Sequence, residues 1–178
     1  MMQEETAVFG GGCFWCTEAI FTRLKGVEMV IPGYAGGKMT NPSYEDVSTD
    51  TTGHAEVVKI IFDPKVISYE TLLDVFFHVH DPTSLNRQGA DVGKQYRSVI
   101  LFTSDDQKRK AQESKRKIQT SGEFKNPLVT EIKELDKFYD AETYHQQYFA
   151  KNPSDPYCNF VIAPKLHKIL DQYKDLLQ

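Results

Sequence analysis

Three consecutive glycines, Gly10, Gly11 and Gly12, stand between a short apolar run and a stretch that begins with Cys13. Glycine lets a chain turn tightly or approach another backbone closely because it has no Cβ. Ahead of it, residues 6–9 read as a strand. Behind it, residues 13–24 read as a helix with Cys16, Ile20 and Leu24 at four-residue spacing. The glycines therefore predict a strand-to-helix junction with Cys13 in the first helical turn. A thiol there faces the positive end of the helix dipole and unpaired amides, which predicts a stabilised thiolate and a lowered pKa. The alternative for such a cysteine is burial as a small apolar side chain. The glycine approach and the helix-start position favour the reactive reading.

Residues 55–62 give the clearest strand. A period of two places Glu56, Val58, Ile60 and Phe62 on one face and Ala55, Val57, Lys59 and Ile61 on the other. Lys59 marks the wetter side, so Glu56 points to the drier one. Between Gly26 and this strand, the glycines with Asn41, Pro42, Tyr34 and Tyr44 predict a strand followed by a long ordered loop of the kind that carries site residues. Ser68 caps a helix to about residue 80, ended by Asp81-Pro82, and a polar loop fills 83–95. A strand over 98–103 follows. Ser104 with Gln107 makes a capping box for a charged helix to about residue 120, and 128–135 form a weaker strand. Asp140 is expected to cap a helix through 149, and Pro164 to open a final amphipathic helix with Leu166, Ile169, Leu170 and Tyr173. Roughly five strands interleaved with helices predict an α/β two-layer sandwich with a mixed sheet in preference to a doubly wound one. The glycine turn lacks the full dinucleotide fingerprint. With 178 residues and 40% hydrophobic content, one domain over 1–178 is expected.

A formal charge of −4 gives no help in binding nucleic acid or an anionic membrane. The basic stretch 108–117 carries no aromatic residues and suits a solvated helix face. The first residues, Met1-Met2-Gln3-Glu4-Glu5, lack a basic region followed by an apolar run, and no segment is apolar enough to span a bilayer, so a cytoplasmic monomer is expected.

Three cysteines, Cys13, Cys16 and Cys158, are too few and too odd for a disulfide framework. A zinc site would need a second short-spaced pair beside the Cys13/Cys16 CxxC, and none exists, so no metal is expected. Thiol-disulfide exchange in the manner of thioredoxin is the stronger rival, since CxxC at a helix start is its working unit. That reading leaves Glu56 and the tyrosines without a task. A desolvated Glu56 carboxyl has a raised pKa and can serve as a general acid near neutrality. Its plainer alternative is a strand-end residue paired with a lysine or an amide.

The segments GCFWCTE at 12–18, GYAGG at 33–37, NPSYEDV at 41–47, TGHAEVV at 52–58, HDPTSLNRQGADVGKQYRS at 80–98 and YHQQYFAKNP at 144–153 together resemble the peptide methionine sulfoxide reductase A family. The resemblance runs through nearly the whole chain in the family's order. It implies a fold related to the ferredoxin-like plait, reduction of the S epimer of methionine sulfoxide as a protein-repair reaction, and no bound cofactor. Thioredoxin or another dithiol is then the electron donor. It further implies that Cys13 is the nucleophile, that Phe14 and Trp15 wall an apolar slot for the substrate methyl, and that Glu56, Tyr44 and Tyr96 address the sulfoxide oxygen. Asp91 falls at a site-lining position. Cys158 falls at the position of the thiol that resolves oxidised Cys13, with Cys16, one helical turn from Cys13, as its competitor. The chain departs from the commoner pattern at Cys16, where many relatives have glycine, and after Cys158, where it predicts a helix instead of a glycine-rich tail with another cysteine.

Overall fold

A computed structural model of the chain describes residues 3–178. Its elements are β1 (Glu5–Gly10), α1 (Phe14–Phe21), β2 (Val27–Ala35), α2 (Tyr44–Ser48), β3 (Ala55–Phe62), α3 (Tyr69–Val79), β4 (Arg87–Gln88), β5 (Asp91–Val92), β6 (Val99–Phe102), α4 (Asp105–Ser121), β7 (Glu131–Glu134), β8 (Phe138–Asp140), α5 (Tyr148–Lys151) and α6 (Ala163–Gln172). Six strands form one mixed sheet in the order β7-β6-β1-β3-β2-β8, in which only β6 and β7 run parallel, while β4 and β5 make a separate hairpin.

Alternation along the strands decides the two faces. Ala7, Phe9, Tyr34, Val58, Ile60, Phe62 and Ile100 enter the main core with residues of α1, α3, α4 and α6. Phe9 is at its centre, with ring centroids 5.9 Å from Phe21, 5.9 Å from Tyr69 and 4.9 Å from Phe76. Each such fully buried side chain contributes about 1.5–3 kcal/mol of transfer free energy. The opposite face carries Val8, Ala35, Ala55, Val57, Val99 and Leu101, also fully buried, with Leu135 and Phe138 packed on them.

Burial of that second face follows from a short connection. Residues 135–137 alone join β7, at one edge of the sheet, to β8 at the other. Four Cα steps reach at most about 14 Å. Five interstrand gaps in a flat sheet would need about 24 Å. The sheet must therefore curl until its edges approach, folding its small-residue face onto itself. Gly33 permits this closure, since a Cβ there would run into the Phe138 ring and the Tyr139 carbonyl.

The helix caps follow the sequence. Ser68 accepts from the Thr71 amide and Ser104 from the Gln107 amide. The reciprocal half of the expected capping box is shifted, because Gln107 accepts from the amide of Thr103. Other expectations are corrected. The first helix ends at Phe21; Leu24 lies beyond it, bridged to Leu177. The expected helix from Asp140 through 149 is instead the end of β8, a 3₁₀ turn at Thr143–His145 and the short α5, because Asp140 pairs with Gly33 across β2. The loop after Gly26 hides α2, whose Ser43 and Asp46 make a reciprocal capping box, and the polar loop 83–95 hides the β4–β5 hairpin.

Gly33→Ala is expected to lower unfolding stability by about 1–3 kcal/mol, the cost of forcing extra volume into a closed contact. A urea midpoint unchanged from the parent would contradict the closure of the sheet at that point.

Candidate active site

Cys13 is the N-cap residue of α1, in extended conformation at φ −66° and ψ 129°, and its carbonyl accepts from the Cys16 amide at 3.1 Å. The three glycines before it answer three separate close approaches. A Cβ at Gly10 would lie 2.8 Å from the Glu56 carbonyl oxygen, one at Gly11 2.8 Å from the His80 ring, and one at Gly12 3.1 Å from Gln88. Gly12 also takes φ +82° and donates its amide to the Tyr96 carbonyl at 3.1 Å. The His80 ring cannot retreat, being bonded to the Phe76 carbonyl and the Ser98 hydroxyl, each at 2.7 Å.

This turn sets the first amide of α1 against β3. Phe14 donates its N–H to Glu56 Oε1 at 3.3 Å. Glu56 is 3% exposed and lies opposite Tyr34 in the β2–β3 register, on the drier face as expected. Burial pushes its carboxyl up to about 8 in spite of the Phe14 amide, with the Asp91 charge adding to the rise. Tyr44 and Tyr96 are both held above the usual phenol range by burial and by the Glu56 carboxylate, so they stand as neutral hydroxyls. Both also feel the charge of Cys13 and of Asp91, which brings all five groups into one field.

The thiol behaves otherwise than the helix-start argument predicts. Burial, then the charges of Glu56 and Cys16, push the Cys13 thiol well above its ordinary value, and a bond from the Trp15 amide opposes them without prevailing. Desolvation beside a carboxylate outweighs one turn of helix dipole.

Phe14 is almost fully buried and packs on Tyr34 at 5.7 Å and His145 at 5.1 Å, whereas Trp15 remains partly exposed. The Trp15 indole stacks on Tyr148 at 3.6 Å and 5°, meets Tyr157 edge-on at 5.7 Å, and donates its N–H to His145 Nδ1 at 3.0 Å. That bond leaves the His145 proton on Nε2, 4.0 Å from a Glu142 carboxylate oxygen. The Tyr157 hydroxyl donates to Asp91 at 2.7 Å, tying the hairpin to the indole's surroundings.

All three cysteines are free thiols, and Cys158 is fully buried. It lies in an apolar cluster with Cys16, Ala19 and Ile162, within a π-helical turn, Cys158–Ile162. Burial pushes Cys16 up to about 11 and raises Cys158 as well. Among the described residues no three His, Cys, Asp or Glu side chains converge on a possible metal position.

Sequence reasoning missed Tyr148, Tyr157, His145 and Glu142 as parts of the site. For His145 and Tyr148 the signal was their place in the YHQQYFAKNP segment at 144–153, whose aromatic spacing reads equally as core. Glu142 binds the Tyr34 hydroxyl at 3.0 Å and the Tyr44 amide at 3.2 Å, a role that local sequence does not announce.

Three free thiols, one of them in a common field with a buried carboxyl and two phenols and the other two packed together, are the equipment of a thiol-dependent oxidoreductase. The family model for peptide methionine sulfoxide reductase matches residues 5–177. The peptide methionine sulfoxide reductase MsrA of Nautilia profundicola is 56% identical over 92% of this chain and 93% of its own length. The reduced form of Mxr1 from Saccharomyces cerevisiae superposes with a TM-score of 0.81 at 35% identity, covering 88% of this chain and 90% of that one. Mxr1 in complex with Trx2 superposes at 0.57 and 27% identity, covering 82% and 85%. The chain belongs to the peptide methionine sulfoxide reductase family.

Each unit of rise in a thiol's pKa lowers its thiolate fraction about tenfold at neutral pH, so Cys13 should be alkylated by iodoacetamide at pH 7 at least that much more slowly than a cysteine in an unstructured peptide. Glu56 carries its charge above pH ~8, where that charge opposes thiolate formation. In Glu56→Gln the onset of Cys13 alkylation should therefore move to lower pH. Mass spectrometry of the modified peptide reads both, and an onset moving upward would contradict the coupling.

Proposed function

We propose that this protein reduces the S epimer of methionine sulfoxide through attack by Cys13, with thioredoxin as the final reductant and no bound cofactor. The observation that carries the reading is the Glu56 carboxyl, buried, bonded to the Phe14 amide and protonated at neutrality, in one electrostatic field with Cys13.

A sulfoxide oxygen leaves sulfur only when it is protonated or strongly hydrogen-bonded. Neutral Glu56, Tyr44 and Tyr96 all present O–H donors for it. Cys13 Sγ bonds the oxygen lost by the substrate, so that thiol plus sulfoxide yields sulfenic acid plus methionine, with protons balanced. Trp15 and Phe14 line the slot for the S-methyl, where sulfur–aromatic contact is favourable. Asp91 orients this wall through Tyr157.

The sulfenic acid then condenses with a thiol, releasing water and forming a disulfide. Cys158 is the proposed resolving thiol, and a dithiol such as thioredoxin reduces the product. The packing of Cys158 against Cys16 favours a second order of events, in which Cys16 closes on Cys13 first and passes the disulfide to Cys158. Mxr1 in complex with Trx2 supports the choice of thioredoxin.

The strand order supports a ferredoxin-like plait at the heart of the fold. The succession β1-α1-β2-β3-α3-β6 lies in the sheet as β6-β1-β3-β2, two crossed βαβ units, and we assign residues 1–178 to one domain. We read the protein as a cytoplasmic monomer; among the described residues no helix is long and apolar enough to cross a membrane.

NADPH consumption coupled through thioredoxin and its reductase should appear with the S epimer and be absent with the R epimer. Equal consumption with both would overturn the reading. Glu56→Gln should slow single-turnover methionine formation about a hundredfold, the usual weight of a general acid, and a loss under about threefold would remove Glu56 from that role. With excess sulfoxide and no reductant, Cys158→Ser should trap a Cys13–Cys16 disulfide or a sulfenic acid and lose thioredoxin-coupled turnover. Parent turnover in that variant would make Cys16 the terminal thiol.

A further inference from the structure

Glu18 is a carboxylate that the reaction does not use. It sits on α1 one turn beyond Phe14 and is 3% exposed. Among the described residues it has no cationic partner within ion-pair distance, and its hydrogen bond goes to a backbone amide. Oε1 accepts from the Gln147 N–H at 2.7 Å, and the neighbouring Tyr148 amide also favours the charged form of the carboxyl. Burial pushes this carboxyl up to about 7 against the pull of those amides and of Lys151.

The segment held in this way is conformationally expensive. Gln147 takes φ 56°, a left-handed conformation that costs a residue with a side chain free energy. On either side of it stand the two residues that grip the Trp15 indole. His145 receives the indole N–H at 3.0 Å, and Tyr148 stacks on the indole face at 3.6 Å. The Tyr148 hydroxyl donates to Asp155, which accepts the Tyr157 amide at 2.8 Å, so the arrangement continues to the ring at the indole's edge.

We propose that Glu18 is a positioning residue for the reaction: by holding the Gln147 amide it fixes the segment that carries His145 and Tyr148 and, through them, the Trp15 indole and the wall that receives the substrate's S-methyl group. The proposal rests on the reading of Trp15 as that wall. In its ionised form the group suits the task because both oxygens only accept, whereas a glutamine offers one accepting oxygen and an NH₂ that cannot bind an amide N–H.

Trp15 is the only tryptophan in the chain, so its fluorescence reports the wall directly. Glu18→Ala, Glu18→Gln and Tyr148→Ala are compared by Trp15 emission, acrylamide quenching, and the substrate dependence of single-turnover methionine formation. Loss of an aromatic stack in a small pocket should raise half-saturation about tenfold in Glu18→Ala and in Tyr148→Ala. The limiting rate should change by less than about threefold. Emission should shift to the red with stronger quenching, and Glu18→Gln should fall between parent and Glu18→Ala. Combining Glu18→Ala with Tyr148→Ala should be no worse than either alone, since both act through one contact.

Unchanged emission and half-saturation in Glu18→Ala, or penalties that multiply in the combined variant, would overturn the proposal. Altered emission with unchanged half-saturation would overturn the assignment of Trp15 as the substrate wall, and the proposal with it. If Glu18→Ala does not fold, the near-isosteric Glu18→Gln carries the test, and parent-like emission and half-saturation in that variant overturn the proposal.

Discussion

A carboxyl group on a central strand, shut away from water and given one amide, sets the electrostatics of the candidate site, raising the pKa of Cys13, Tyr44 and Tyr96. The Phe14 amide reaches Glu56 only because three glycines let the β1–α1 turn press against β3, the His80 ring and the β4–β5 hairpin. One hydrogen bond is too little to offset desolvation, and the carboxyl keeps its proton to about pH 8. The same burial keeps a proton on Cys13, and the negative charge of either group would raise the other's pKa. The Cys13 thiol, the Glu56 carboxyl and the Tyr44 and Tyr96 phenols thus all keep their protons at neutral pH. Transfer of an oxygen atom from a sulfoxide to a thiol neither consumes nor releases a net proton, so the proposed reaction can start from that state.

The scaffold holds that arrangement from behind. Glu56, Tyr34 and Phe14 belong to the face of the sheet that carries the aromatic core, and Tyr34 passes the constraint to Glu142, which in turn holds the backbone of Tyr44. Tyr44, Glu56, Asp91, Tyr96, Tyr148 and Tyr157 all come into the field of Cys13, because neighbouring strands of the curled sheet release their loops toward the same end.

Periodicity carried most of the architecture. The strand at Ala55–Phe62, its drier face, the caps at Ser68 and Ser104 and the junction at Cys13 were all legible, because each depends on residues a few places apart. What stayed hidden depends on distant partners. Asp140 looked like a helix cap because nothing nearby reveals that it pairs with Gly33, and α2 and the β4–β5 hairpin are too short for a period to show. At the site, the residue types were readable but the thiol's ionisation was not. A helix start argues for a lowered pKa, and only the three-dimensional neighbourhood reveals that Glu56 and the loss of water act more strongly. The packing of Cys158 on Cys16 was likewise invisible, since 142 positions separate them (158 − 16).

The short strap at 135–137 also governs how the molecule meets other polypeptides. Free strand edges recruit foreign chains by backbone pairing and so seed aggregates. Here the outermost strands are only four and three residues long, and they carry Glu131, Lys133, Glu134 and Asp140 along their length. Curling the sheet and charging its rims withholds such a template from other chains.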